Sequence, residues 1–443
     1  MTGRGGLIQQ TFHVNPNLQL GLGVFGDREN MGGGLDYRDN YLDRWNAGAH
    51  LQLLTSHSQT DCLIAHQRKQ FGARGFYGVT PFLKAAERTD DLLVLASSRY
   101  RNRSDGYIRA TALWRSFEDD YELPEIDYRN KHRSTMTAAM VDGIAPVQPQ
   151  LALQWRVHAE EQRLDSRGLG DHRRTSMDFM LTPKLTLGAI DLEAGMQANL
   201  FTDDQPAYVP MAGVHYRSLW GVTVFLTYSE AVKRPSFTEL FYLSPANIGT
   251  IGLERQTCET WEVGCEQTIG THTDWRLALF RRTTDNTVDW VKTAQGTPWI
   301  ATDLGPVKTD GGEVSLTSNV LPSLTVRASY AYLHKRHNAD NVFAGRYVLD
   351  YPRHAATVDI DWSPSDFWSI RTAQEFLHHT KNRVRQGDHQ AVNGSIEVVM
   401  RPPQTPHLEV VAGCDNMWSE RFETYPGQPK GGRRFYAVAR WIW

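Results

Sequence analysis

No stretch of this 443-residue chain stays apolar for long. The longest runs, such as LLVLA at 92–96, end after about five residues, whereas a membrane-crossing helix needs about 20. Helical spanning is therefore excluded. Spanning by a β-barrel is not, because a barrel strand turns alternate side chains toward a polar interior. An excess of one charge is missing too: the net charge is −3 and lysines and arginines are scattered, which gives no electrostatic case for nucleic acid. Cysteine is scarce, and Cys62, Cys258, Cys265 and Cys414 form no metal signature. Cys258 and Cys265 lie in one extended run, CETWEVGCEQ, so roughly 23 Å of strand separates them, beyond disulfide reach. Unpaired thiols, no metal and no cofactor are expected. Behind MTGRGGLIQQ there is no apolar core of a secretory leader, so either a protein that is not exported or a mature or shortened form is expected.

Aromatic residues, by contrast, are plentiful: 11% of the chain, with 13 tryptophans. Period-two alternation recurs, and sustained helical periodicity does not. In LALQWRVHA, Leu151, Leu153, Trp155, Val157 and Ala159 share one face, opposite Gln154, Arg156 and His158. LTVRASYAY (324–332), ATVDIDW (356–362), WSIRTAQEF (368–376) and RFYAVARWIW (434–443) repeat the pattern. These runs of about 7–10 residues approach what a tilted membrane strand needs. Short, turn-rich links such as NVLPS (319–323), SPSD (363–366) and PPQTP (402–406) take turns with long loops at 233–255, 283–303, 335–347, 380–388 and 418–432. Short turns on one side and long loops on the other are the pattern of an outer-membrane barrel. Trp362 and Trp368 bracket SPSD, and indoles favour the membrane interface.

The fold class expected is all-β: a large antiparallel transmembrane β-barrel of about 20–22 strands, with short periplasmic turns and long extracellular loops. A soluble sandwich or propeller would explain the alternation, but not strand length, loop asymmetry and turn-side tryptophans together. A charge facing lipid near midplane costs roughly 2–4 kcal/mol, so Arg156, Arg327, Asp359, Asp361 and Arg371 should point into the lumen. In the last strand Phe435, Ala437, Ala439, Trp441 and Trp443 should face lipid, with Tyr436 and Arg440 inside. A terminal aromatic preceded by alternating apolar residues resembles the signal for barrel insertion, carried here by Phe435, Trp441 and Trp443.

The stretch YSEAVKRPSFTELFYL (228–243) begins as a strand, meets Pro235, and continues as Ser236-Phe-Thr-Glu239, a capping-box pattern. YSEAVKRPSFTELFY resembles the strand-to-loop motif of TonB-dependent outer-membrane receptors, with Arg234, Pro235, Ser236, Glu239 and Leu240 at the motif positions. GLE (252–254), EVG (262–264), NTVDWV (286–291), LGPVKTDGGEVSL (304–316) and RYVLDYPRHAATVDIDW (346–362) follow in family order. Two loop prolines of the family are missing, and Trp443 stands where the family usually ends in phenylalanine. QRKQFGARGFYGVTP (67–81), AERTD (86–90) and WRSFEDDYEL (114–123) resemble the first loops of such receptors.

The resemblance, to vitamin B12- and siderophore-receptor-like barrels, implies uptake of a scarce large ligand, cobalamin or an iron chelate, across the outer membrane of a Gram-negative-type bacterium. It implies a monomer in contact with outer-membrane lipid, and no covalent chemistry. The family's N-terminal plug domain is not recognisable, so residues 1–14 are expected to be the plug end and first strand, and 15–443 the barrel domain. TonB would be a partner only if a plug is supplied; a plugless passive porin is the alternative. A barrel enzyme would need a site such as His158 with Glu160, or His378 and His379 near Asp388, but no nucleophile elbow, metal spacing or phosphate loop accompanies them. Aromatics suited to stacking on a rigid ligand from the loops are Phe76, Tyr77, Phe241, Tyr242, Trp299 and Tyr347.

Overall fold

Successive side chains of a strand leave its backbone on opposite faces, so a run with period-two polarity can bury or shield one whole face at once. In the structure, a computed structural model, 21 strands make up a large antiparallel sheet. The structure describes residues 2–32, 41–73, 84–102, 105–339, 341–385, 388–426, 428–429 and 431–442; Phe76, Tyr77 and Trp443 lie outside the described residues. Among the described residues no helix is long and apolar enough to cross a membrane. The chain divides into two units: Met1–Leu187 with Leu192–Ala212 and Pro235–Gly252, and Gly188–Asp191 with Gly213–Arg234 and Leu253–Trp443.

In the first unit, each strand pairs antiparallel with the next from Thr2–Asn15 and Leu18–Met31 through Leu42–Thr55, Ser58–Gly72, Ala86–Arg101, Tyr107–Leu123, Tyr128–Gln148 and Leu151–Ser166 to Gly170–Leu187. Residues 2–15 are thus a strand of the sheet, in register with Leu18–Met31. One face is apolar: Ile8, Val24, Ala49, Ile64, Val94 and Trp114 stand opposite one another in register. Ile8 and Val24 are about 60% exposed, and Ile64 half exposed. The other face is a polar ladder. The Arg109 guanidinium meets Asp142 at 2.9 Å, Arg156 stands opposite Asp142, and His158 Nδ1 lies 2.9 Å from Asp178.

In the second unit the same order runs Val222–Lys233, Gln256–Ile269, Thr273–Asp285, Val307–Leu321, Leu324–Arg336, Pro352–Ser365, Trp368–His379, Gln390–Met400, Leu408–Asp415 and Arg434–Trp441. Leu226, Val263 and Leu279 form part of its exposed apolar face. On the opposite face Asp361 lies between Arg327 (2.5 Å) and Arg371 (3.6 Å), Arg371 reaches Glu397 at 3.7 Å, and Tyr436 donates to Glu397 at 3.1 Å. Arg440 and Arg401 both hold Glu409. The charges read as inward-pointing therefore share one face, and Phe435 and Trp441 are exposed on the other. Phe225 lies over Gly264, its cross-strand partner, where a Cβ would collide with the ring, and Arg276 covers it at 4.3 Å.

Two details differ from the sequence-based expectation. The strands are longer than 7–10 residues: Leu42–Thr55 has 14 and Tyr128–Gln148 has 21. Apolar alternation marks only the stretch beside an apolar layer. Beyond it the backbone ladder continues through polar side chains, as in the Arg133↔Glu118 and Lys131↔Asp120 pairs. The long loop at 283–303 also contains two short strands, Val288–Lys292 and Trp299–Asp303, paired with each other. Cys258 and Cys265 lie on one strand, and all four cysteines are free.

Candidate functional site

Among the described residues, two clusters organise loop side chains, one in each unit. In the first unit the chain meets buried Pro235, which lacks an N–H for any ladder, and turns into the helix Phe237–Phe241. Ser236 Oγ accepts from the Glu239 amide (3.1 Å), and the Glu239 carboxylate accepts from the Ser236 amide (2.6 Å). This capping box satisfies two amides that the first turn leaves without helical partners. The His172 ring stacks on Phe241, centroids 3.8 Å apart and planes within 8°, and on Phe237 at 5.5 Å. Arg174 donates to the Pro235 carbonyl at 2.8 Å and sits 4.5 Å from the centre of the Phe237 ring. Tyr242 closes the helix beside His132.

In the second unit the fastener is charge. Asp289 is 2% exposed, and its carboxylate accepts from the amides of Trp290 (2.8 Å), Tyr347 (3.1 Å), Val348 (3.0 Å) and Leu349 (3.3 Å). Burial pushes this carboxyl up to about 6, even though the amide donors oppose the rise. The Lys335 ammonium donates to the Val348 carbonyl (2.9 Å). A second lock lies beside it: Arg385 and Asp350, each with a side chain 2% exposed, form an ion pair, and Arg385 also donates to the Glu423 carbonyl at 2.5 Å. Asn382 donates to the Gly345 carbonyl at 2.7 Å. Segments near 289, 345–351, 382–385 and 423 are thereby tied together.

The described loop aromatics read from sequence fall into these two clusters. Phe241 and Tyr242 are half-buried within the first. The Trp299 ring, 3% exposed, has the Lys292 ammonium 5.1 Å and the buried Arg346 guanidinium 5.6 Å from its centre. Arg346 in turn lies 5.5 Å from the Tyr347 ring, which is 51% exposed. Lys292, Trp299, Arg346 and Tyr347 thus form a ladder of alternating cations and rings that ends on an exposed tyrosine. Sequence reasoning missed Lys292, Arg346, Asp289 and the Arg385–Asp350 pair. Among the described residues no three acidic, histidine or cysteine side chains are grouped to hold a metal.

The family model described as "TonB dependent receptor-like, beta-barrel" matches residues 3–406. The fold is similar to that of the siderophore receptor PirA from Pseudomonas aeruginosa, with TM-score 0.71, 13% identity, 99% of this chain and 76% of that one covered. It is similar to the FrpB iron transporter from Neisseria meningitidis, with TM-score 0.74, 12% identity and coverage of 99% and 78%. A mutant ferric enterobactin receptor from Pseudomonas aeruginosa, solved with enterobactin, gives TM-score 0.75, 13% identity and coverage of 99% and 78%.

Proposed function

Because this chain belongs to the TonB-dependent receptor-like β-barrel family, a family of outer-membrane transporters and not of enzymes, we propose that its long loops capture an anionic iron chelate for passage across the outer membrane. The barrel's apolar face meets lipid and its polar face lines the lumen. The observation that carries the ligand class is the Lys292–Trp299–Arg346–Tyr347 ladder: two cations contact a buried indole, and one of them also contacts an exposed tyrosine ring. Tyr347 is the exposed end of this group, with the buried Arg346 guanidinium behind its ring. An aromatic ring backed by a cation suits a negatively charged ligand with flat rings, by stacking and charge attraction. The names of the structural neighbours, siderophore and iron receptors, support the same class. Cobalamin, which lacks that net negative charge, fits the ladder less well.

In this reading Tyr347 is the direct contact in the second unit, with Trp299 the anchor behind it, and Phe241 and Tyr242 of the first unit, with Phe76 and Tyr77, are further proposed loop contacts. Arg234, Pro235, Ser236, Glu239 and Leu240 fix the loop that leaves the strand. The protein acts as a monomer, and coupling to TonB belongs to the barrel together with a plug domain. Passive conductance by residues 1–443 alone is the alternative. The test is a titration of the purified protein, followed by tryptophan fluorescence, with ferric enterobactin and with cyanocobalamin. Saturable quenching by the ferric chelate alone is expected. Saturation by cyanocobalamin alone would reverse the ligand assignment, and response to neither, with steady ion conductance in planar bilayers, would favour the porin.

A further inference from the structure

His378 and His379 are neighbours in sequence, but the strand Trp368–His379 sends them to opposite faces. His379 is buried, and its Nδ1 faces Arg385 at 3.3 Å. His378 shares its face with Phe376 and stands directly opposite His354 of the strand Pro352–Ser365, which shares its face with Val358. Both apolar residues are exposed, so the two histidines are on the outward face. Their rings lie 5.8 Å apart, centre to centre, with planes at 76°, and both residues are half-buried. Neither loop cluster uses them.

Neighbouring strands hold each ring by one nitrogen. The Tyr330 hydroxyl lies 2.7 Å from His354 Nδ1, and the Gln390 side-chain amide lies 3.3 Å from His378 Nδ1. Tyr330 belongs to the strand flanking His354, and Gln390 to the strand flanking His378, so each Nδ1 turns away from the pair. The two nitrogens of an imidazole point to nearly opposite sides of the ring, which leaves Nε2 of each histidine on the side between them. A hydroxyl or a carboxamide can take the Nδ1 proton through its oxygen, and a partner at that nitrogen is what orients a ligating histidine. Tyr332, opposite His354, packs against its ring at 5.2 Å.

Two imidazoles on one ion, each with a metal–nitrogen bond of about 2.0–2.1 Å, have ring centres roughly 5–6 Å apart. The observed separation falls in that range. Imidazole selects late first-row ions, copper(II) most tightly, whereas calcium and magnesium take oxygen ligands. Both histidines stand within two residues of the loop ends of their strands, on the loop side of Val358 and Phe376, where water can complete the coordination. We propose that His354 and His378 bind one divalent late transition-metal ion, copper(II) best, through their Nε2 atoms, with Tyr330 and Gln390 as positioning residues. Such an ion joins the two strands just before they lead into the segments tied by Asp350 and Arg385.

The test titrates the full chain in nonionic detergent with copper(II) at neutral pH and reads electron paramagnetic resonance. One ion per chain, with hyperfine splitting from two nitrogens, is expected. H354Q and H378Q should each lose the two-nitrogen signal and weaken binding at least about tenfold, since even a supporting partner of a ligand is worth that much. Y330F removes only the partner of Nδ1, so it should weaken binding about tenfold and keep the two-nitrogen signal. Circular dichroism checks that each variant keeps its strand content, and either histidine variant carries the test if the other does not fold. Unchanged affinity in the histidine variants would overturn the proposal. So would a signal from sulfur ligands, which would assign the ion to a free cysteine.

Discussion

The two loop clusters do the same job by different means. In the first unit a helix of one turn is held by a capping box and by rings stacked on His172. Those attachments are short-range or neutral, and each is worth little: about 1 kcal/mol for the cap and about 0.5–1.5 for a stacked pair. In the second unit the fasteners are buried charges, Asp289 and the Arg385–Asp350 pair. A buried charge tolerates no loss of partner, because what remains is an unpaired ion in a poorly solvated site. The first cluster should therefore loosen by degrees, and the second should hold firmly or fail as a whole.

The largest effect should come from breaking the buried pair on one side. Asp350→Ala leaves Arg385 buried without its carboxylate, at a cost of about 3–5 kcal/mol. Hydrogen exchange at residues 343–351 and 380–385 should then rise together, while the helix Phe237–Phe241 in the first unit stays protected. Replacing both partners by leucine should recover much of the loss; if the double variant is as loose as D350A, burial of charge is not what distinguishes the clusters.

Next comes pH. Asp289 titrates near 6 in the folded protein against an ordinary 3.8, so the folded loop binds the proton more tightly than the opened one. Its contribution is complete below about pH 4 and is lost as pH rises through 6, up to about 3 kcal/mol at 1.36 kcal/mol per unit. Amides of Tyr347, Val348 and Leu349, corrected for intrinsic exchange, should be better protected at pH 4.5 than at pH 7.5. Asp289→Asn carries no charge at either pH and should flatten that difference. A wild-type profile that is already flat would show that opening leaves the carboxyl as buried as before.

The same contrast explains what could be read from sequence. The capping box was legible because Ser236 and Glu239 are three residues apart, and spacing alone implies their geometry. The face of each charge was legible too: Arg327, Asp361 and Arg371 fall on one face by parity. Asp289 stood in the open in NTVDWV, but its amide partners lie 58–60 residues further on, and backbone donors have no side-chain signature. Arg385 and Asp350 meet across 35 residues of strand and loop, where no period links them. Strand length was underestimated because polar residues on both faces hide a ladder held by the backbone.

A smaller effect should follow from Ser236→Ala, which removes the hydroxyl that accepts the Glu239 amide. About 1 kcal/mol is expected, read as faster protease cleavage or amide exchange confined to residues 237–242. Adding His172→Ala should loosen the same helix further, since the ring contacts Phe237 and Phe241 from outside the cap. An effect of either change on the Tyr347–Leu349 amides would mean that the two clusters are coupled, and would blunt the contrast drawn above.

The smallest structural effect is expected at Tyr347, and that makes it the sharpest test of function. Its ring is 51% exposed, so Tyr347→Ala should leave stability within about 0.5 kcal/mol, as exposed substitutions usually do. Its amide still donates to Asp289, because alanine keeps the backbone N–H, so the loop stays fastened. Loss of affinity for a ferric chelate in Y347A would therefore report the ring alone: about 1 kcal/mol of stacking, or roughly fivefold in Kd. Trp299→Ala should weaken binding as well, but by removing the buried ring that Lys292 and Arg346 both contact, so its loss should come with reduced protection of the loop. Equal weakening in both variants, with equal loop opening, would make Tyr347 part of the fastening and not of the binding surface.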